Sequence, residues 1–566
     1  DWDGALPLLT RAAAEFHDLG ERAHAAFVET LLADTLASLG RVDDEWTARM
    51  RAFTALSTDG VGDRLPVSIG AAARLALRGG DREGALPLLR LEEAAIRRVQ
   101  RDTLLADALV RLAVLRNELG DGEAAWRAVR EAESVAGRIA DPALRGRARA
   151  DVQFATANVL LLSDPRRARD LLGQAIDAYR TRELPVFLPE AYLLRARAAL
   201  AVGATEEAAR DLDSGLASLE RHRVQLAESV VGTGVLDAGH ALAAERIILA
   251  LDRGDVAGAL VYAERARSQT LNVAALQRKL AGTRTAVLEL VVLPRELVAF
   301  CITADQVSVA RTPIERGAVA QRTDRWYELL LQPSERAFAG ARQLLVVADP
   351  LLATVPFAAL YEGAALAPSA ALLERAPFSR PRSLLAVVLP AGTRVMLPES
   401  EREVSEAAAL YETTQTLTGA DATLAAFAKA VPRADVVHIA GHTSREPGAG
   451  NAALVFASGE RAAWQAIAST RFAKGSVVLL SACETLRPPP GRSARAFTLA
   501  DGALAAGAAE VVGTLTPIAD VDARQIFHAI HQRIARGESV ANAVREVQHD
   551  LPVARQSVAL LTTRID

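Results

Sequence analysis

At 566 residues the chain exceeds what one hydrophobic core can fill, since single cores stop growing at roughly 250 to 300 residues, so two or more domains are expected. Half of the residues are apolar, 24% are charged and the formal net charge is −4, a balance that excludes a disordered tail and offers no basic excess for nucleic acid. Two cysteines, Cys301 and Cys483, cannot build a disulfide framework or a Cys-rich zinc site, and they fit a reducing compartment.

The beginning, Asp1-Trp2-Asp3-Gly4, has no basic region leading into an apolar run. No stretch reaches the roughly 18 uninterrupted apolar residues of a membrane span. A cytoplasmic protein without membrane contact is expected, and the missing initiator Met points to trimmed upstream sequence.

Residues 1 to about 280 read as helix after helix, rich in Ala, Leu, Arg and Glu and broken at Gly or Asp. Gly4-Ala5-Leu6-Pro7-Leu8-Leu9 recurs as Gly84-Ala85-Leu86-Pro87-Leu88-Leu89. Related helix starts sit at Trp46, Ala125, Ala168, Ala208 and Ala259, mostly in steps of about forty residues. The segment Leu112 to Ala125, with its Leu119-Gly120-Asp121 break, resembles the tetratricopeptide pattern, as does Ala191 to Ala208. Paired helices of that kind bury their apolar faces only against the next pair, producing a superhelix with a concave, protein-binding surface. An irregular helical domain is the plainer alternative.

Near Thr285 the period changes. Ala286 to Leu293, Leu297 to Thr303 and Gln306 to Thr312 are β-branched and apolar, and predict an antiparallel meander. Five later segments are short, wholly apolar and separated by helices: Gln343 to Ala348, Leu384 to Leu389, Asp435 to Ala440, Ser476 to Ser481 and Glu510 to Leu515. Strands apolar on both faces are buried on both faces, so a mainly parallel sheet covered by helices is predicted over 281–566.

Chemistry in such a sheet gathers beyond the carboxyl ends of the strands. Val436-Val437-His438-Ile439-Ala440 runs into Gly441-His442-Thr443, and Val477 to Ser481 runs into Ala482-Cys483-Glu484. Adjacent strands lie about 4.8 Å apart, so an imidazole and a thiol at matching ends reach one scissile carbonyl. His442 then takes the thiol proton and returns it to the leaving amine, while backbone N–H groups at Thr443 and Cys483 are placed to meet the oxyanion. Taken singly, a cysteine or histidine behind a buried strand is more often packing, and Cys301 within Phe300-Cys301-Ile302 is assigned to the core. His438 and His442 are about 13 Å apart on an extended strand, too far to share a metal, so no metal and no cofactor is expected and His438 is given a buried supporting or structural role.

These blocks resemble the CHAT family, caspase-like domains associated with tetratricopeptide repeats. The resemblance rests on Gly258 to Ser268, Leu345 to Pro350, Val355 to Leu360, Leu397-Pro398 leading to Glu403-Val404, Leu417 to Thr423, His438 to His442 and Leu480 to Thr485. It implies an N-terminal all-α TPR-like superhelix over 1–280 and an α/β caspase-like domain over 281–566, with His442 and Cys483 as catalytic pair. Thr443 stands where the family usually has Gly. Asp520, in Leu515-Thr516-Pro517-Ile518-Ala519-Asp520, is either an acidic group favouring a basic P1 residue or a helix N-cap before Val521. The loop Thr485 to Arg495 is either a gate or self-cleavage site, or a solvated linker.

The function implied is a regulated cysteine endopeptidase in bacterial defence or signalling, with repeats that recruit a protein substrate or activator. A catalytically weak caspase-like scaffold is the alternative. Substrate, activator and oligomeric state are not legible in the residues.

Overall fold

A computed structural model describes every residue except 1, 40–41, 59–63, 79–80, 228–231, 268, 320, 322, 391–396, 445–451, 458 and 489–496. The chain divides into two compact units, Asp1–Leu249 and Ala250–Asp566, with 447–449 set aside because they lie outside the described residues.

The first unit is a helical-repeat region in which successive helices pack against one another. Its period has a local cause. Helix Asp102–Glu118 ends before Gly120, which takes a left-handed φ of +81° that a Cβ would resist. Asp121 then accepts the amide of Ala124 at 3.1 Å and starts the next helix, Gly122–Arg138. Asp81 and Asp164 cap the amides of Gly84 and Arg167 in the same way. Ala124, Ala125, Ala128, Ala132 and Ala136 line the buried face of Gly122–Arg138, and small side chains there let neighbouring helices approach closely. Inside this array Tyr179 donates to Asp151 at 2.8 Å, and burial pushes the Asp151 carboxyl up to about 6.

The second unit opens with helices Val256–Ala266 and Val273–Leu280 and continues into strands. In chain order these are β1 (Thr285–Val292), β2 (Glu296–Ile302), β3 (Val307–Pro313), β4 (Gln343–Val347), β5 (Ala364–Leu366), β6 (Glu374–Arg375), β7 (Ser383–Val388) and β8 (Thr413–Leu417). There follow β9 (Val436–Ala440), β10 (Thr443–Ser444), β11 (Ala453–Val455), β12 (Arg461–Ala462), β13 (Val477–Ser481), β14 (Glu510–Thr514), β15 (Val558–Thr562) and β16 (Arg564–Ile565). Eleven of them form one sheet in the order β3-β2-β1-β4-β5-β15-β14-β13-β9-β7-β8.

The sheet is mainly parallel, as its two-sided apolar strands require, and the β1-β2-β3 meander is antiparallel. The meander is not a separate layer, because β1 pairs parallel with β4 and extends the same sheet. One expectation needs correcting. The strand Gln343 to Val347 runs opposite to β7, β9, β13 and β14, since β15 pairs antiparallel with β14 but parallel with β5, which is parallel to β4. The carboxyl end of β4 therefore lies at the edge of the sheet away from His442 and Cys483, so four of the five predicted segments, not all, end at their rim.

Both faces of the rim strands are covered. Val437, Ile439, Val478, Leu480 and Val511 join Phe427, Ile467, Leu499 and Ala503 in one core on the first face. Burying each such side chain stabilises the fold by about 1.5–3 kcal/mol. Helices Pro398–Ala408 and Asp520–Ala535 cover the second face, packing on β7, β9 and β13. Among the described residues no helix is long and apolar enough to cross a membrane.

Candidate active site at the ends of two parallel strands

Register places His442 and Cys483. In the β9–β13 pair Ala440 lies opposite Ser481, so His442 and Cys483 each stand two residues beyond the last matched pair. The Gly441 amide donates to the Ser481 carbonyl at 3.1 Å, carrying the lateral pairing one residue past β9. Gly441 has a φ of +151°, and a Cβ there would lie 2.7 Å from that of Leu389, so glycine is required for the chain to turn upward at His442. His442 and Cys483 are both partly exposed.

The turn carrying the thiol is clamped from both neighbours. Thr443 donates its hydroxyl to the Cys483 carbonyl at 2.7 Å, and Thr514, at the end of β14, donates to the Ala482 carbonyl at 2.6 Å. Thr485, fully buried, accepts the Thr514 amide at 2.9 Å, and Leu486 donates to the Thr514 carbonyl at 3.0 Å. Gly513 leaves room for this, because a Cβ there would come within 2.6 Å of Thr485 Oγ1. Between the clamps Glu484 adopts a φ of +58°, a conformation costly for a residue with a side chain, and it pairs with Arg487. The turn after Cys483 is thus held in a shape it would not adopt alone.

The other predicted residues are placed as follows. Thr443 begins β10 and pairs with Leu454 of β11. Asp520 lies in the first turn of Asp520–Ala535, where the N-cap position belongs to Ala519; its Oδ2 accepts the Glu399 amide at 2.9 Å and so caps a different helix, Pro398–Ala408. His438 is fully buried on the helix-covered face, with Nδ1 3.1 Å from His531 Nε2. Its Nε2 lies 3.0 Å from Glu403 Oε1, close but off hydrogen-bond alignment. Cys301 is fully buried in β2, and burial pushes its thiol up to about 12, which leaves it a packing residue. Of the loop Thr485 to Arg495, residues 489–495 lie outside the described residues.

Residues that the linear pattern did not single out are Thr485, Thr514, Glu403 and His531. Gly513-Thr514 at a strand end was the available signal for the first pair; a histidine one helical turn from Phe527 was the only one for His531. A cavity of about 80 Å³ adjoins the cysteine turn, lined by Leu486, Pro488, Leu366, Arg267, Thr498 and Asp501. It has room for a small side chain.

A mainly parallel α/β domain with an imidazole and a thiol at matched strand ends, preceded by a helical-repeat region, is the class of protein that these features define. Residues 322–557, which include His442 and Cys483, match the CHAT domain. No curated protein matches the chain. Among solved structures, the chain is similar to BtubC (BKLC) from P. vanneervenii, at 16% identity over 40% of this chain and 93% of that one, with a TM-score of 0.32. It is also similar to Saccharomyces cerevisiae separase in complex with securin, at 9% identity over 98% of this chain, with a TM-score of 0.43; it spans 60% of the length of that chain. A third is the STAND protein PH0952 with a tetratricopeptide repeat sensor from Pyrococcus horikoshii, at 14% identity over 49% of this chain and 44% of that one, with a TM-score of 0.28.

Proposed function

We propose that the chain is a cysteine endopeptidase with Cys483 as nucleophile and His442 as general base. The observation that carries this reading is the matched register of β9 and β13, with the two turns joined by the Gly441–Ser481 and Thr443–Cys483 bonds. His442 takes the proton from the Cys483 thiol, and the thiolate attacks the scissile carbonyl carbon. The C–S bond forms as the carbonyl π pair moves onto oxygen. Backbone N–H groups of Thr443 and Cys483 stabilise that oxyanion, each donor lowering the barrier by about 3 kcal/mol. Collapse breaks the C–N bond, with His442 protonating the leaving amine. Water, deprotonated by His442, then attacks the thioester and releases the acid and the free thiol.

The Thr443 side chain, where the family has Gly, is directed to the Cys483 carbonyl, a use that supports retention of the turn rather than obstruction of it. Asp520 is proposed to favour a basic P1 residue with its remaining carboxylate capacity. The helical-repeat region recruits a protein substrate or activator, and the setting is bacterial defence or signalling.

A peptidyl electrophile carrying a reporter tests the core of this. Labelling of wild type is expected, with loss in Cys483→Ala and in His442→Ala. Equal labelling of wild type and His442→Ala would overturn the dyad, and a P1 library showing no preference for Arg or Lys would remove the role of Asp520.

A further inference from the structure

Beneath the proposed dyad, polar side chains from four elements meet in the interior. His438 of β9 and His531 of Asp520–Ala535 are fully buried, and Glu403 of Pro398–Ala408 is 1% exposed. Tyr411, just before β8, completes the group. Its hydroxyl lies 2.8 Å from His531 Nδ1, followed by His531 Nε2 to His438 Nδ1 at 3.1 Å and His438 Nε2 to Glu403 Oε1 at 3.0 Å. So many buried polar atoms are costly unless they satisfy one another.

One arrangement gives each of these contacts a donor and an acceptor. Burial pushes the Tyr411 phenol up and keeps its proton, which leaves it able to donate to Nδ1 of His531. Burial, then the neighbouring His438 and His528, hold His531 well below the usual imidazole range, so it is neutral. With Tyr411 as donor, the single ring proton of His531 is on Nε2 and points to Nδ1 of His438. Nδ1 of His438 then accepts, and its Nε2 faces Glu403 at 3.0 Å. In that series the donors run from Tyr411 through His531 to His438.

Aromatic edges enclose it, Phe527 against His438 and Tyr411 against His531. The charged groups around it on the same helices are engaged with each other: Arg524 with Glu399 and Glu406, Asp520 with the Glu399 amide, and His528 3.8 Å from Glu406.

We propose that Glu403, His438, His531 and Tyr411 are positioning residues that set the height of the Gly441–His442 turn relative to Cys483. The end of β9 is fixed sideways by bonds from Leu389 to Ala440 and from Gly441 to Ser481, and on one face by the apolar packing of Val437 and Ile439. On the other face the directional hold comes from His438, three residues before Gly441, bonded to His531 and 3.0 Å from Glu403. The inference rests on the reading of His442 and Cys483 as the dyad.

Two measurements on the full chain test it. Nitrogen-15 NMR of histidine-labelled protein is expected to show His438 and His531 as Nε2-protonated tautomers. Alkylation of Cys483 by iodoacetamide, followed against pH, is expected to slow about tenfold in Tyr411→Phe and Glu403→Gln and to shift its pH profile, with unchanged circular dichroism. Tyr411→Phe loses only a hydroxyl and carries the test should Glu403→Gln fail to fold. A proton on Nδ1 of either buried histidine overturns the series. Correct tautomers with an unmoved pH profile, or with lowered thermal stability as the sole effect, overturn the positioning role. Wild-type alkylation independent of His442 removes the dyad and the role with it, while the tautomer pattern is read separately and distinguishes that failure from failure of the series.

Discussion

Thr443 donates its hydroxyl to the carbonyl of Cys483 at 2.7 Å, so the residue following the proposed base holds the backbone of the proposed nucleophile. Replacing it separates hydroxyl from bulk. Thr443→Val is expected to cost about 1 kcal/mol of stability, the usual net worth of one such bond, and to slow Cys483 labelling several-fold. Thr443→Ser keeps the donor and should label at nearly the wild-type rate. A Val variant that labels as fast as Ser would show the bond to be without consequence.

Gly441 is expected to tolerate no side chain. Gly441→Ala meets Leu389 and a disfavoured φ together, and a destabilisation of about 1–3 kcal/mol follows from the backbone alone. Urea unfolding of the variant reads this directly, and an unchanged midpoint would mean that the turn can relax.

The two thiols should separate cleanly. Cys301, buried and with its thiol pushed up to about 12, is expected to resist iodoacetamide at pH 8 until the protein is unfolded, whereas partly exposed Cys483 reacts in the native state. Peptide mass spectrometry before and after denaturation gives the answer.

Acid should weaken the second unit through His531. Its folded pKa lies below the unfolded value near 6.5, so below that pH the unfolded chain binds a proton that the folded one refuses. Stability from this group is complete above about pH 6.5 and falls by at most about 1.4 kcal/mol per pH unit as the pH drops toward the folded pKa. His531→Gln should flatten that part of the profile, measured as the urea midpoint against pH.

Asp151 in the helical-repeat region should act in the opposite sense. Its folded pKa of about 6 exceeds the unfolded value, so its contribution is complete below about pH 4 and is lost as pH rises through 6. Asp151→Asn keeps an acceptor for Tyr179 and is expected to gain up to about 2–3 kcal/mol at pH 8, with the gain shrinking to nothing near pH 4. Equal effects at both pH values would place the cause elsewhere.

Local pattern by itself determined a good deal of this molecule. The forty-residue period follows from Asp caps and from Gly in left-handed turns, both encoded within four residues. Strands such as Val436–Ala440 and Val477–Ser481 declare themselves because two-sided burial demands an unbroken apolar run, and the residues just past them, His442 and Cys483, could be found by position. Tertiary structure decided what adjacency in sequence does not carry. The reversal of β4 depends on which strand lies beside it, and β15 sits between the parallel blocks although no predicted strand covers it. Asp520 seats a helix through the Glu399 amide, 121 residues earlier, and His438 meets His531 across 93 residues. Periodicity reports which face of an element is buried, but the partner of a buried polar atom is chosen by packing of the whole chain, and no short window of residues records that choice.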